Sequence, residues 1–230
     1  MPIVRFGLYF IPDEGSFYSA GSNIIGYDIR AEKSIQRADF IKPEWVAISE
    51  SYGLHATITD AIYIDDTKLS DVEAAVTDII SCLQPSNRYV FSISRVGFWH
   101  EQSDQAAVHL KSNRAIELLH HILVTKIHPL GIGSEYTDRY KDNPSEYFSD
   151  SPSRIKKTEL FYAPYIFDEF TPHFTCINPF KGTVAQRSSL EENLTKHFRD
   201  TQEIEMSKIA LVVKSPADSH FYIRKEFNLH

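Results

Sequence analysis

Apolar positions along this chain follow two different periods, and the switches between them lay out its elements. Residues 4–11 (VRFGLYFI) form a dense apolar run of strand length. A Gly- and Ser-containing stretch follows, then a loop-rich segment through Pro43. From Leu54 to Ile64 (LHATITDAIYI) the residues alternate and are rich in β-branched types, which predicts a strand with a bend at Asp60. The period then lengthens. Ser70 or Asp71 can cap a helix running to about Leu83, with Val72, Ala75, Val76, Ile79, Ile80 and Leu83 on one stripe and Pro85 as its stop. Arg88 to Trp99 and Gln105 to Leu110 read as two strands joined by a polar turn. A second helix, at about 112–127, carries Ile116, Leu119, Ile122 and Leu123.

The pattern breaks down from Pro129 to Ser153, where Gly131, Gly133, Pro144 and Pro152 punctuate a polar, Tyr-rich stretch. That composition predicts a linker or lid. Beyond it come a strand at 172–180, a helix near 184–198, and strands at 204–213 and 219–226. Strand, helix, strand, strand therefore occurs twice, from 54 to 110 and from 172 to 226, the order expected of a weak internal duplication. The expected division is one lobe over roughly 1–128, a lid or linker over roughly 129–160, and a second lobe over roughly 161–230.

Composition narrows the picture. At 230 residues, with 42% hydrophobic and 24% charged residues, the chain can bury a real core and is neither disordered nor fibrous. Aromatic residues make up 13%, enough to line a cleft as well as a core. The net charge of −7 argues against a broad grip on duplex nucleic acid, which relies on clustered Lys and Arg. It leaves room for a small anion held by a few local donors. Cys82 and Cys176 are too few for a disulfide framework and fall in apolar strings, so both are expected as buried thiols in a reducing compartment. The start of the chain is broken by Arg5, Asp13 and Glu14, unlike a signal peptide, and no apolar window reaches the length of a membrane span. A cytoplasmic protein with no membrane partner is expected; its oligomeric state is left open.

Each of the two repeated units opens with the same short string. The first has His55-Ala56-Thr57-Ile58, the second His173-Phe174-Thr175-Cys176. On a strand, residues i and i+2 share a face. His55 and Thr57 then point one way, with Ala56 and Ile58 packed the other, and His173 and Thr175 repeat the arrangement over Phe174 and Cys176. Paired about a pseudo-two-fold, two histidines and two threonines converge on one cleft. That set suits cleavage of a phosphodiester without a metal or other cofactor. One imidazole takes the proton of the attacking oxygen, the other protonates the leaving oxygen, and the hydroxyls donate to the non-bridging oxygens. Chance places about 0.5 H-x-T strings in a chain with 10 His and 12 Thr, so two in matching contexts carry weight.

Three longer strings resemble the 2H (two-histidine) phosphoesterase superfamily, and within it the branch associated with phosphonate metabolism. RFGLYFIPDEGSFYSAGSNIIGYD at 5–28 is similar to that branch's RYxxYFxPPxxSxxWxxGSxxLGxD. YGLHATITDAI at 52–62 resembles YGFHATLKAPF, and APYIFDEFTPHFTCIN at 163–178 resembles YPYVxEEFRFHMTLTG. Arg95-Val96-Gly97-Phe98 is similar to a glycine-containing strand of the same branch. The likeness is weakest over 125–160. It implies an α+β fold, bilobal about a pseudo-two-fold, each lobe an antiparallel sheet with helices packed outside. It also implies that His55 and His173 are the acid–base pair, with His173 handling the water and His55 the leaving oxygen, and that Thr57 and Thr175 bind phosphoryl oxygens. Tyr9, Tyr52 and Tyr165 lie near the motif strands and are candidates to line the cleft, with a core role as the alternative.

The function expected is hydrolysis of a small cyclic phosphodiester, a 2′,3′-cyclic nucleotide or a sugar cyclic phosphate. Two alternatives are a cyclic phosphate hydrolase of phosphonate breakdown and a non-catalytic module binding a nucleotide or RNA end. Other features draw plainer readings. Adjacent His120 and His121, with His128, lack the spacing of a metal site. Gly131-Ile132-Gly133-Ser134 lacks the Lys of a phosphate-cradling loop. Arg154, Lys156 and Lys157 read as a solvated basic face that could steer an anion, and Trp99-His100 as core and rim.

Overall fold

The motif strand shows why these residues form the elements they do. In a computed structural model, which describes residues 2–84, 86–144, 147–148 and 151–229, β4 (Ala56–Asp65) buries Ala56, Ile58, Thr59, Ile62 and Ile64 and leaves the remaining side chains half-buried. On one edge it pairs antiparallel with β1 (Ile3–Phe10), whose Phe6, Leu8 and Phe10 fill the core; on the other it meets β7 (His173–Ile177). A hairpin of β5 (Val90–Phe98) and β6 (Ala106–Ser112) adds to the far edge of β7, followed by β8 (Glu203–Glu205). Outside β1 lie β9 (Lys208–Lys214) and β10 (Tyr222–Asn228). The result is one eight-stranded antiparallel sheet in the order β10-β9-β1-β4-β7-β6-β5-β8, with a small ribbon of β2 (Tyr27–Asp28) and β3 (Lys33–Ser34) beside it.

Helices cover this sheet. α2 (Leu69–Ser81) and α3 (Arg114–Ile127) pack on each other and against β10, β4 and β6. Asn113 caps α3, its side chain accepting the Ile116 N–H at 3.1 Å. α1 (Ser16–Ile25) packs on β7 and α6 (Val184–Phe198) on β5. α4 (Glu135–Asp142) and α5 (Pro152–Phe161) pack together. The α+β class expected from the resemblance, with an antiparallel sheet and helices outside it, is the architecture found.

Several elements depart from expectation. α1 falls where a Gly/Ser loop was read, because its buried stripe is built partly of small residues, Gly21 and Ser22, beside Tyr18, Ile24 and Ile25. A Cβ on Gly21 would sit 2.4 Å from Leu54 Cδ2, so the missing side chain lets the helix pack against buried Leu54, just ahead of the motif strand. The stretch expected as a lid, 129–160, contains α4 and α5; Pro85, expected to stop α2, lies outside the described residues. Cys82, expected buried, is exposed past the end of α2, whereas Cys176 is buried. The single strand expected at 204–213 divides at Met206 and Ser207 into β8 and β9, which lie at opposite ends of the sheet.

That division exchanges strands between the halves of the sheet. Expected lobes at 1–128 and 161–230 would each keep the strands that follow their own motif. Instead β5 and β6, which follow the first motif, extend β7, and β9 and β10, which follow the second, flank β1. Both edges of β4 are already taken, by β1 and β7, so the β5–β6 hairpin finds its open edge on β7. The β1–β4 half is thus extended by β9 and β10 from late in the chain and β7 by β5 and β6 from before it, with β8 at the outer edge.

Candidate active site

β4 and β7 touch at one residue pair, Ala56 opposite Phe174. Both side chains are fully buried, as are Ile58 and Cys176, so the neighbours on either side face the opposite way. Continuing the register sets His55 against Thr175 and Thr57 against His173. The two histidines are therefore diagonal neighbours, with Cα atoms roughly 7–8 Å apart, and the local two-fold passes between Ala56 and Phe174. All four residues line one cleft of about 1250 Å³.

The imidazoles are held alike. His55 Nδ1 is 2.9 Å from the carbonyl oxygen of Gly53, and His173 Nδ1 is 2.8 Å from that of Thr171, each two residues upstream. A carbonyl only accepts, so Nδ1 carries the hydrogen in both rings, and each Nε2 presents a lone pair toward the cleft. Ring packing completes the positioning. Tyr9 stacks on His55 with centroids 4.0 Å apart, and the Trp99 ring meets His173 edge-on at 4.8 Å. Trp99 is itself braced by His109 at 4.3 Å, whose Nε2 bonds the Gly97 carbonyl at 3.0 Å. Among the described residues neither Thr57 nor Thr175 has a hydrogen-bond partner for its hydroxyl, which leaves both donors for a ligand.

Burial pushes the His55 imidazole down to about 4; the nearby His173 lowers it further and the Gly53 carbonyl opposes. His173 is lowered as well, by burial, against the pull of the Thr171 carbonyl. Both rings are therefore neutral at pH 7, since a charged imidazolium in the cleft would lose its hydration.

The three tyrosines expected near the motifs all reach the cleft, in different ways. Tyr9 is buried beneath His55. Tyr52 stacks on Phe221 at 4.9 Å and its hydroxyl accepts from Arg5 at 3.2 Å, while Arg5 also pairs with Glu135 at 2.5 Å. Tyr165 is an exposed rim residue under the Arg154 guanidinium at 5.1 Å.

Other expectations resolve differently. Lys157, read as part of a solvated basic face, is buried and paired with Asp168 at 2.5 Å and Glu169 at 3.2 Å; Arg154 holds Glu169 at 2.6 Å. Ser134 of the glycine-flanked string caps α4. Trp99 and His100 line the cleft, where core and rim were read. His120 and His128 are buried, each with Nδ1 on a backbone carbonyl, and among the described residues no group of three His, Cys, Asp or Glu could hold a metal ion.

Sequence reasoning missed much of the rest of the cleft lining. Arg5, Asp60, Glu135, Tyr136, Arg139 and His120 all face the cleft. One signal was available: Asp60 is a charged residue inside a β-branched strand. His120 bridges two parts of the site, its Nδ1 on the Ile58 carbonyl at 2.6 Å and its Nε2 accepting the Phe167 N–H at 3.0 Å.

No family model and no curated protein matches the sequence. Among solved structures, E. coli LigT complexed with 3′-AMP is similar over 98% of both chains, at 14% identity and a TM-score of 0.49. E. coli LigT complexed with ATP is similar over 99% of this chain and 98% of its own, at 10% identity and 0.46. Usb1 of Kluyveromyces marxianus covers 94% of this chain and 95% of its own, at 11% and 0.35. At these identities and scores the reading of function rests on the site's own geometry. Among the described residues no helix is long and apolar enough to cross a membrane.

Proposed function

We propose that the chain is a 2H-type phosphoesterase that hydrolyses a small cyclic phosphodiester by paired histidine acid–base catalysis. The observation that carries this reading is the symmetric pair of Nε2 lone pairs, each fixed by a carbonyl two residues upstream and flanked by a free threonine hydroxyl. In-line displacement needs proton transfer on opposite sides of one phosphorus, and two imidazoles related by a two-fold supply it. His173 Nε2 takes a proton from a water whose oxygen forms the new bond to phosphorus. His55 Nε2 delivers a proton to the leaving oxygen as its bond to phosphorus breaks. The net change is addition of one water across that P–O bond. Thr57 and Thr175 donate to the non-bridging oxygens, where negative charge accumulates.

The low imidazole values fit this scheme. Neutral histidines are competent bases. Entry of a phosphodiester anion favours the charged form of a nearby ring, so substrate binding itself protonates the acid. The branch resemblance adds a sugar cyclic phosphate to the panel of substrates worth assaying.

The test is turnover by purified protein, with chelator present, of 2′,3′-cyclic nucleotides and ribose cyclic phosphates. His55→Gln and His173→Gln are each expected to lower kcat/KM by about 10²–10⁴-fold. Absence of turnover across the panel, or undiminished turnover in both variants, overturns the catalytic reading. Tight binding without turnover would instead mark a nucleotide-binding module.

A further inference from the structure

Alternation along β4 breaks twice, at Ile58–Thr59 and at Asp60–Ala61, and between the breaks a carboxyl is aimed into the cleft. The β1–β4 ladder runs Phe6 to Ile62, then Leu8 to Thr59, then Tyr9 to Thr57, with a register shift at each step. Two extra residues are thus taken up on β4 between Thr57 and Ile62. Strict alternation would bury Asp60 with Ile58 and Ile62. Instead Thr59 is buried, its Oγ1 accepting the Leu8 N–H at 3.2 Å, and Asp60 lies on the cleft face. Bulges beside active sites commonly serve to re-aim a side chain in this way.

The carboxyl is half-buried in the cleft that Arg139 and Arg154 also line. Among the described residues Asp60 has no hydrogen-bond or ion-pair partner. Burial alone pushes it up to about 6, with no cationic or donor group opposing. Burial raises the phenols of Tyr136 and Tyr165, which line the same cleft, and the charge of Asp60 adds to both shifts while Arg139 opposes them. Their rings meet edge-on at 6.1 Å. A desolvated carboxylate among aromatic rings is costly unless a ligand brings donors to both oxygens.

A flat ring suits the aromatic walls, and two adjacent N–H groups suit the carboxylate. Guanine carries that pair on one edge, N1–H beside N2–H. Adenine and cytosine place an acceptor beside their donor, and uracil has one N–H between two acceptors, so each sets a lone pair against the carboxylate. Strand rise places Asp60 at most about 10 Å along β4 from Thr57, a span that a ribose and a base can bridge from a phosphorus held at the threonines. Building on the phosphodiester reading above, we propose that the arm at Asp60 recognises guanine, so that the cleft selects a guanosine 2′,3′-cyclic phosphate.

Two measurements separate this inference from the reading beneath it. The first is titration calorimetry with the four nucleoside 3′-monophosphates. Wild-type protein is expected to bind the guanosine form roughly 10- to 100-fold more tightly than the adenosine form, the range of a good bidentate contact. In Asp60→Asn, which keeps the shape and loses one acceptor, that ratio is expected to fall to about one; a melting temperature no lower than wild type verifies its fold. Equal affinity for all four, or a guanine preference that survives in Asp60→Asn, overturns the guanine pocket. The second measurement is turnover of the four 2′,3′-cyclic nucleotides. Guanine-selective binding without turnover supports the pocket and removes the catalytic reading; turnover without base preference does the reverse.

Discussion

His120 offers the sharpest test of how the site is held together. Its ring is buried, 2% exposed, and both nitrogens are committed: Nδ1–H donates to the Ile58 carbonyl at 2.6 Å and Nε2 accepts from Phe167 at 3.0 Å. Only the neutral ring can do both. Burial accordingly pushes His120 from 6.5 down to about 4, with the Ile58 carbonyl opposing and His121 and His128 adding to the shift. A folded value below the unfolded one means the contribution is whole above about pH 6.5 and is lost as pH falls toward 4. The full difference between 6.5 and about 4 is worth about 3 kcal/mol, and about 2 kcal/mol of it is already lost at pH 5. In His120→Gln, which does not titrate there, that part of the loss is absent. Urea unfolding of both proteins at pH 8 and pH 5 reads it directly, because other titrating groups cancel in the difference. The wild-type advantage should shrink by about 2 kcal/mol between the two pH values. An advantage that stays constant within about 0.5 kcal/mol would show that the ring is not locked in its neutral form.

Three further outcomes are expected. Because both motif histidines lie below the usual imidazole value, kcat/KM should peak below about pH 6.5 and decline above it as the acid loses its proton; a profile still rising through pH 8 would contradict the assignment. Thr57→Val or Thr175→Val should each cut kcat by about 10²-fold with a smaller change in KM, and a pure KM effect would mean the hydroxyl binds ground state and transition state alike. A thiol reagent should titrate exposed Cys82 in the native protein and spare Cys176, which is fully buried with its thiol pushed up to about 12, until the chain unfolds; rapid reaction at both would place Cys176 wrongly.

The two H-x-T strings were legible because strand alternation is a local rule. Once His55 and His173 are placed on strands, Thr57 and Thr175 must share their faces and Ala56 and Phe174 must oppose them. What stayed hidden depends on partners remote in sequence. The outward turn of Asp60 requires the register of β1, and the role of His120 requires a carbonyl on β4 and an N–H at Phe167. The α4 wall was read as a lid because its cleft-facing residues, Glu135, Tyr136 and Arg139, are polar and leave no apolar stripe. Trp99 looked like core because nothing near it in the chain announces His173 as its neighbour. Exchange of strands between half-sheets is a choice of edges, which no local pattern records.

That exchange sets a timetable for synthesis. β1 is made well before its pairing partner Lys208–Lys214, which emerges roughly 200 residues later. At ordinary rates of translation, an apolar strand waits on the order of ten seconds or more with one edge uncovered. β4 likewise waits for β7 before the two histidines can meet. On a ribosome-bound chain the sheet thus stays incomplete until β7 and β9 have been made, and during that interval the chain is a natural client for chaperones that shield strand edges.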